Sequence, residues 1–330
     1  MSSIDYSVII RTTGKAGDKY KALLASIDAL EPRPREVIVV LPEGYALPDD
    51  KLGWETFYFS HKGMVIQRMT GIQKCKSRYA LICDDDVCFG RDFVQRLHMP
   101  IAKGLCGISA GPLYSFLPEP GLKAFLSALS GAGAPTFFHR NRYTTVLNTA
   151  GYSYNRHLDV RKKRYYEAET LAWTCFYADL DQLREIDFEA ETWLDAHGYS
   201  AQDDTAMFYK GVLRGIKTIV VADAYYEHKD ARTSTQNNKP AVTYSQVFNL
   251  VVFWHRFLYS MKPTFAGKLW SCFAFFYRII WMRTWDILDL LRRRHTVEEL
   301  RTTKMAYRDA WAYINSKEYR ELPAVCKEKE

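Results

Sequence analysis

Asp84, Asp85 and Asp86 follow directly on the uncharged run Tyr79-Ala80-Leu81-Ile82-Cys83. That run reads as a short, fully buried strand. Three carboxylates flush against its end raise one another's pKa unless a cation lies among them. Hard oxygen ligands suit Mg²⁺ or Mn²⁺ carrying a phosphorylated ligand. The carboxyl end of a sheet strand is also where open α/β sheets bind ligands. The competing reading is a solvated acidic turn.

A second acidic group opens a helical pattern. Gln202-Asp203-Asp204-Thr205 precedes Ala206, Met207, Tyr209, Lys210, Val212 and Leu213, and Gly215 ends it. Asp203 and Asp204 fall where the helix dipole favours anions, so capping alone accounts for them. Taken with the upstream triple they suggest more. Direct displacement at a sugar anomeric carbon needs a metal-held diphosphate and a separate carboxylate to remove the acceptor proton. Farther on, His228 follows the strand-like Ile219-Val220-Val221. It is open between a third metal ligand and a packing residue. Arg232-Thr233-Ser234-Thr235 is a polar loop able to hydrogen-bond phosphate, or an ordinary turn.

The elements that must position these groups begin with a βαβ pattern. Tyr6 to Ile10 is strand-like, and Asp18 can cap a helix carrying Tyr20, Leu23, Leu24, Ile27 and Leu30. Pro32 and Pro34 end it. Val37 to Leu41 is a second apolar strand, of the kind covered on both faces of a parallel sheet. Phe57-Tyr58-Phe59 predicts a third, and 63–75 a helix leading into the aspartate strand. Alternating strands and helices predict an α/β sheet. The stretch 115–164, with Pro118, Pro120 and Gly131-Ala132-Gly133, predicts a long irregular insertion, either a lid or a surface excursion.

The 330 residues suffice for one large core or two modest ones. A hydrophobic content of 48% excludes a disordered chain. The opening residues Met1 to Asp5 show no basic and apolar leader pattern. Seven scattered cysteines without a C-x-x-C pair argue against a zinc knuckle and for free thiols in a reducing compartment. A cytoplasmic protein is therefore expected.

The charge is concentrated. From Arg256 to Arg308 eleven Lys and Arg face four acids, an excess equal to the +7 of the whole chain. The same stretch carries the aromatic run Leu269 to Met282, with Trp270, Trp281 and Trp285 nearby. Fourteen residues interrupted by Arg278 are too short to span a bilayer. Two readings are open: a helix lying on an anionic membrane, with Arg292, Arg293 and Arg294 as contacts, or one packed on the catalytic body. Basic residues gathered among Trp and Phe exclude a nucleic-acid stripe.

Between Tyr6 and Arg256 the chain resembles family 2 glycosyltransferases of the GT-A fold. Ser7 to Thr13 resembles the family's first strand and nucleotide-contacting turn, and Glu36 to Val40 its second strand. Gln67-Arg68 lies in the helix preceding its metal motif, and Asp84-Asp85-Asp86-Val87 resembles that D-x-D motif. Gln202-Asp203-Asp204 resembles the helix start bearing the catalytic base. Glu227-His228 with Ser234 resembles a downstream histidine region. The apolar and basic tail resembles that of members acting on membrane-linked glycans. Glu43, in Leu41-Pro42-Glu43-Gly44, stands where the family commonly has an acidic cluster, and the base pair is Asp-Asp here.

The resemblance implies a Rossmann-like, mixed and mostly parallel sheet flanked by helices, with a C-terminal amphipathic helical extension. Residues 1–255 would form the catalytic domain, with a nucleotide half to about 115 and an acceptor half after it, and 256–330 the extension. Thr12, Thr13, Glu43, Arg68, Asp84 and Asp85 would hold the nucleotide-diphosphate sugar. Asp86, Asp84 and His228 would hold Mn²⁺ or Mg²⁺. Asp204, or failing it Asp203, would be the base of an inverting transfer to a hydroxyl of a cell-surface glycan or lipid-linked acceptor. The expected partners include an anionic membrane surface, met peripherally on its cytoplasmic face. Rival readings are a HAD-type phosphatase built on Asp84 and Asp86, and a non-enzymatic membrane-surface adaptor.

Overall fold

The computed structural model describes residues 4–135, 141–231 and 239–326. Met1 to Ser3 and the polar loop Arg232-Thr233-Ser234-Thr235 lie outside these. In chain order the elements are β1 (Tyr6–Arg11), α1 (Asp18–Asp28), β2 (Glu36–Pro42), β3 (Thr56–Ser60), α2 (Met64–Lys74), β4 (Tyr79–Asp84), β5 (Val87–Phe89) and α3 (Phe93–Ala102). Next come β6 (Ile108–Ala110), α4 (Leu122–Leu129), β7 (Gly133–Pro135), β8 (Arg142–Val146), β9 (Tyr152–Tyr154), β10 (Tyr165–Ala168), β11 (Cys175–Asp179) and α5 (Leu180–Glu185). A 3₁₀ segment, Phe188–Asp195, leads to α6 (Asp203–Leu213), β12 (Thr218–Val221), β13 (Tyr226–His228) and α7 (Lys239–Phe253). The tail is α8 (Phe265–Leu291) and α9 (Val297–Ile314).

Eleven strands form one mixed sheet in the order β3-β2-β1-β4-β11-β6-β12-β10-β8-β9-β7. The first four are parallel, and β11 runs antiparallel between β4 and β6. Strand direction explains the apolar runs. In β1 and β2, Ile9, Ile38 and Val40 face a core shared with α2, α6 and α7, while Val8, Ile10, Val37 and Val39 face α1 and α3 on the other side. A strand buried on both faces cannot alternate polar with apolar. From β1 the chain goes to β2 and β3 on one side and then returns to β4 on the other. The carboxyl ends of β1 and β4 therefore flank the switch point, where such sheets bind ligands.

Two expectations are corrected. The stretch 115–164 is not an irregular excursion: α4, β7, β8 and β9 lie in it, and the strands extend the main sheet. They have only three to five residues each, too few for a legible period. Asp18 does not cap α1; Gly17 occupies the cap position, and Asp18 lies in the first turn. The aromatic run 269–282 is the middle of a 27-residue helix whose start is capped by Thr264 Oγ1, accepting from Gly267 N. Among the described residues no helix is long and apolar enough to cross a membrane.

The root of the tail is joined to the 3₁₀ segment and α6 by a buried charge cluster. Glu191, fully buried in the 3₁₀ segment, accepts from Lys210 Nζ at 2.8 Å, Trp193 Nε1 at 2.7 Å and Arg256 Nε and Nη2 at 2.8 and 2.9 Å. Burial alone would raise the Glu191 pKa; the two cations bring it below its ordinary value. Replacing Glu191 with Gln strands those cations, which should cost about 3–5 kcal/mol. Urea unfolding of Glu191→Gln checks this; a loss under about 1 kcal/mol, the scale of an exposed pair, would show that the cluster contributes little.

Candidate active site

The acidic groups meet in a cavity of about 380 Å³ at the carboxyl ends of β1 and β4. Its lining includes Arg11, Arg68, Asp84, Asp85, Asp86, Asp203, Asp204 and His228, and the aromatic side chains Tyr143, Tyr152, Trp173 and Tyr199. A larger cavity, about 680 Å³ and lined by Arg156, Lys162 and Lys163, contains neither acidic group.

Sheet register places the first layer. Arg11 pairs with Asp84 across β1 and β4, and Arg11 Nε donates to Asp84 Oδ1 at 3.1 Å. Thr12, just past the strand, donates from Oγ1 to Asp85 Oδ2 at 2.5 Å. Burial pushes the Asp85 carboxyl up to about 6, against the pull of Thr12 and Arg11. His228 is opposite Val87 across β5 and β13, which sets its Nε2 3.3 Å from Asp86 Oδ1. Burial would lower the His228 pKa, but Asp86 raises it on balance. Asp86 Oδ2 accepts from Ala231 N at 2.7 Å; Oδ1 is buried without a well-formed hydrogen bond.

Arg68 joins this layer to the second. It lies on α2, is 2% exposed and stacks over Trp173 at 4.2 Å. Its Nη1 donates to Asp203 Oδ2, while Nη2 donates to Asp84 Oδ1 at 3.2 Å and to Trp173 O at 2.9 Å. The helix that carries it is pinned at its start. Asp195 accepts from the N–H groups of Met64, Val65 and Ile66 at 2.9–3.2 Å. Gly63 permits this approach, since a Cβ there would stand 2.3 Å from Asp195 Oδ2.

Asp203 and Asp204, adjacent in sequence, differ in partners. Asp203 is occupied by Arg68. Asp204 is half-buried in the cavity and accepts only from Thr205 N and Oγ1, with no ion pair among the described residues. Burial and the neighbouring Asp203 charge push its carboxyl up to about 7.

Not every expected residue reaches the cavity. Glu43 is exposed and pairs with His61 Nδ1 at 3.1 Å. Thr13 does not line the cavity, and its Oγ1 is buried without a partner among the described residues. No three His, Cys, Asp or Glu side chains converge on one point among the described residues. Arg11 and Arg68 hold Asp84, which leaves Asp86 and His228 as the pair. Unforeseen residues are Arg11, Trp173, Tyr199, Asp195 and Glu191. Arg11 had a readable signal, an arginine breaking the apolar pattern at a strand end.

No protein-family model and no curated protein sequence matches the chain. Among solved structures it is similar to GalNAc-T7, crystallised with UDP, GalNAc and Mn²⁺, at TM-score 0.53 and 14% identity over 76% of this chain. It spans 48% of that chain. S. aureus TarS 1-349 matches at TM-score 0.51 and 13% identity, covering 93% of this chain and 80% of that one. At such identities the likeness concerns fold alone. The fold class is α/β of the GT-A type, a mixed, mostly parallel sheet flanked by helices, with a helical C-terminal region.

The Asp204 environment has a measurable cost. With its pKa near 7 in the folded chain and the ordinary 3.8 when unfolded, the folded state keeps a proton that the unfolded state has lost between about pH 4 and 7. Stability from this group is therefore complete below about pH 4 and is lost as pH rises through 7. Asp204→Asn cannot ionise, so it should be more stable than the parent at pH 8, with the gap closing towards pH 4. Urea unfolding across that range measures it; a pH-independent gap would contradict a desolvated carboxylate.

Proposed function

We propose that this protein is an inverting, metal-assisted glycosyltransferase of the family 2 type. It would move a hexosyl or related sugar from a nucleotide-diphosphate donor to a hydroxyl of a cell-surface glycan or lipid-linked acceptor. The observation that carries this reading is the unequal aspartate pair. A carboxylate without a cationic partner, with its pKa near 7, faces a cavity of ligand size. The structural likeness to GalNAc-T7 with UDP, GalNAc and Mn²⁺ supports a nucleotide-sugar donor.

In this mechanism the donor diphosphate lies at the switch point near Arg11 and Arg68, and the sugar against the aromatic side chains. Asp204 takes the proton of the acceptor hydroxyl as that oxygen bonds to the anomeric carbon. The bond from that carbon to the diphosphate oxygen breaks on the opposite face, giving single displacement with inversion. Asp203 stays an anchor for Arg68. A divalent ion fits the Asp86 and His228 pair: a buried carboxylate oxygen lacking a good hydrogen bond faces an imidazole nitrogen, a set suited to Mn²⁺. Bound there, the ion would supply positive charge for the leaving diphosphate. A phosphatase would need Asp84 free as nucleophile, and two guanidinium groups hold it.

Asp204→Asn should preserve donor affinity and lower turnover by about 10²-fold or more. Calorimetry and single-turnover assays separate the two, and equal mild losses in Asp203→Asn and Asp204→Asn would leave both as capping residues. Asp86→Ala should remove the Mn²⁺ dependence of donor binding while leaving the melting temperature near that of the parent. Unchanged donor affinity in Mn²⁺ would move the ion elsewhere.

A further inference from the structure

Helix α8 presents its apolar side outward. Phe265, Leu269, Phe273, Ile280, Ile287 and Leu291 form a stripe that is 51–82% exposed, with Trp270 and Tyr277 beside it. The spacing repeats the outward face of a helix about 40 Å long, at 1.5 Å per residue. The charged groups turn the other way. Arg278 donates inward to Thr149 O at 3.0 Å, and Arg283 pairs with Asp286.

The stripe does not end at the tail. Tyr277 Oη donates to Leu129 O at 2.6 Å, which seats α8 beside α4. Helix α4 belongs to the stretch that carries the sheet, and it exposes Leu122, Phe125 and Leu129. Both helices, joined at this hydrogen bond, leave large apolar side chains exposed, a grouping that commonly marks an interaction surface.

We propose that this composite α4 and α8 face lies on an anionic lipid bilayer, in the interface and without crossing it. Charge selects this occupant. One end of the stripe is flanked by Lys262 and Lys268, the other by Arg292, Arg293 and Arg294, and α4 adds Lys123. The two acids of α8's last turns are engaged: Asp286 with Arg283, and Asp289 near Arg294. Because both ends are cationic, a second copy packed in either direction would set cations against cations. Anionic headgroups meet them with opposite charge. Trp270 and Tyr277 are residue types that favour headgroup depth.

The proposal stands apart from sugar transfer, so binding is measured without donor. Full-length protein should co-sediment with vesicles containing phosphatidylglycerol at low salt, and less as salt rises. Phe125→Glu in α4 and Leu269→Glu in α8 should each weaken binding about tenfold or more. Both positions are over half exposed, and matched thermal melts verify that the variants are folded. Changing Arg292, Arg293 and Arg294 to Gln should remove most of the salt-sensitive part and spare the rest. Parent protein that stays in the supernatant at every salt concentration overturns the proposal. So does Phe125→Glu binding like the parent, which would remove α4 from the face. A concentration-dependent dimer in light scattering, lost in both Glu variants and without vesicle binding, would assign the stripe to a second copy instead.

Discussion

The geometry of the acidic cavity depends on one guanidinium. Arg68 is buried, stacked on Trp173, and bonded at once to the end of β4 through Asp84 and to the start of α6 through Asp203. These acids are far apart in the chain, and two clustered negative charges would otherwise repel. A planar, permanently charged fork can hold both in fixed geometry; a lysine would be a single point. The carboxylates one residue on from each partner, Asp85 and Asp204, are pushed up by burial instead of being paired with a cation.

Separation of roles between neighbouring aspartates follows from that fork. Asp203 pairs with Arg68, so of these two Asp204 is the one without a cationic partner among the described residues. The same division holds at the other acidic group, where Asp84 neutralises arginines and Asp86 turns to His228. In each case aspartates one or two positions apart in the chain meet different partners.

The parallel half of the fold was legible because its strands are long, apolar and separated by clear helical periods. The second half was not. β7, β8 and β9 pair with one another and with β10, and at three to five residues each they are too short to leave a readable period. In the site, the acidic triple and the acidic helix start were visible as unusual local density of one charge. Asp195 was not, since a carboxylate that caps a helix 131 positions earlier in the chain looks like any surface acid. Glu191 was hidden for the same reason, and Glu43 misled because its charge follows a strand yet points to solvent.

Glu191 and Asp195 occupy the same short 3₁₀ segment, and together they limit which parts can move. One grips Arg256 at the root of the tail; the other grips the first turn of α2, one turn before Arg68. Lifting the tail would take from a buried carboxylate two of its four hydrogen bonds, a costly state to populate. The root of the tail is therefore fixed to the same segment that fixes the start of α2. At the cavity rim half-exposed Phe116 leans on His228 at 5.0 Å, held by ring contact and not by a buried charge.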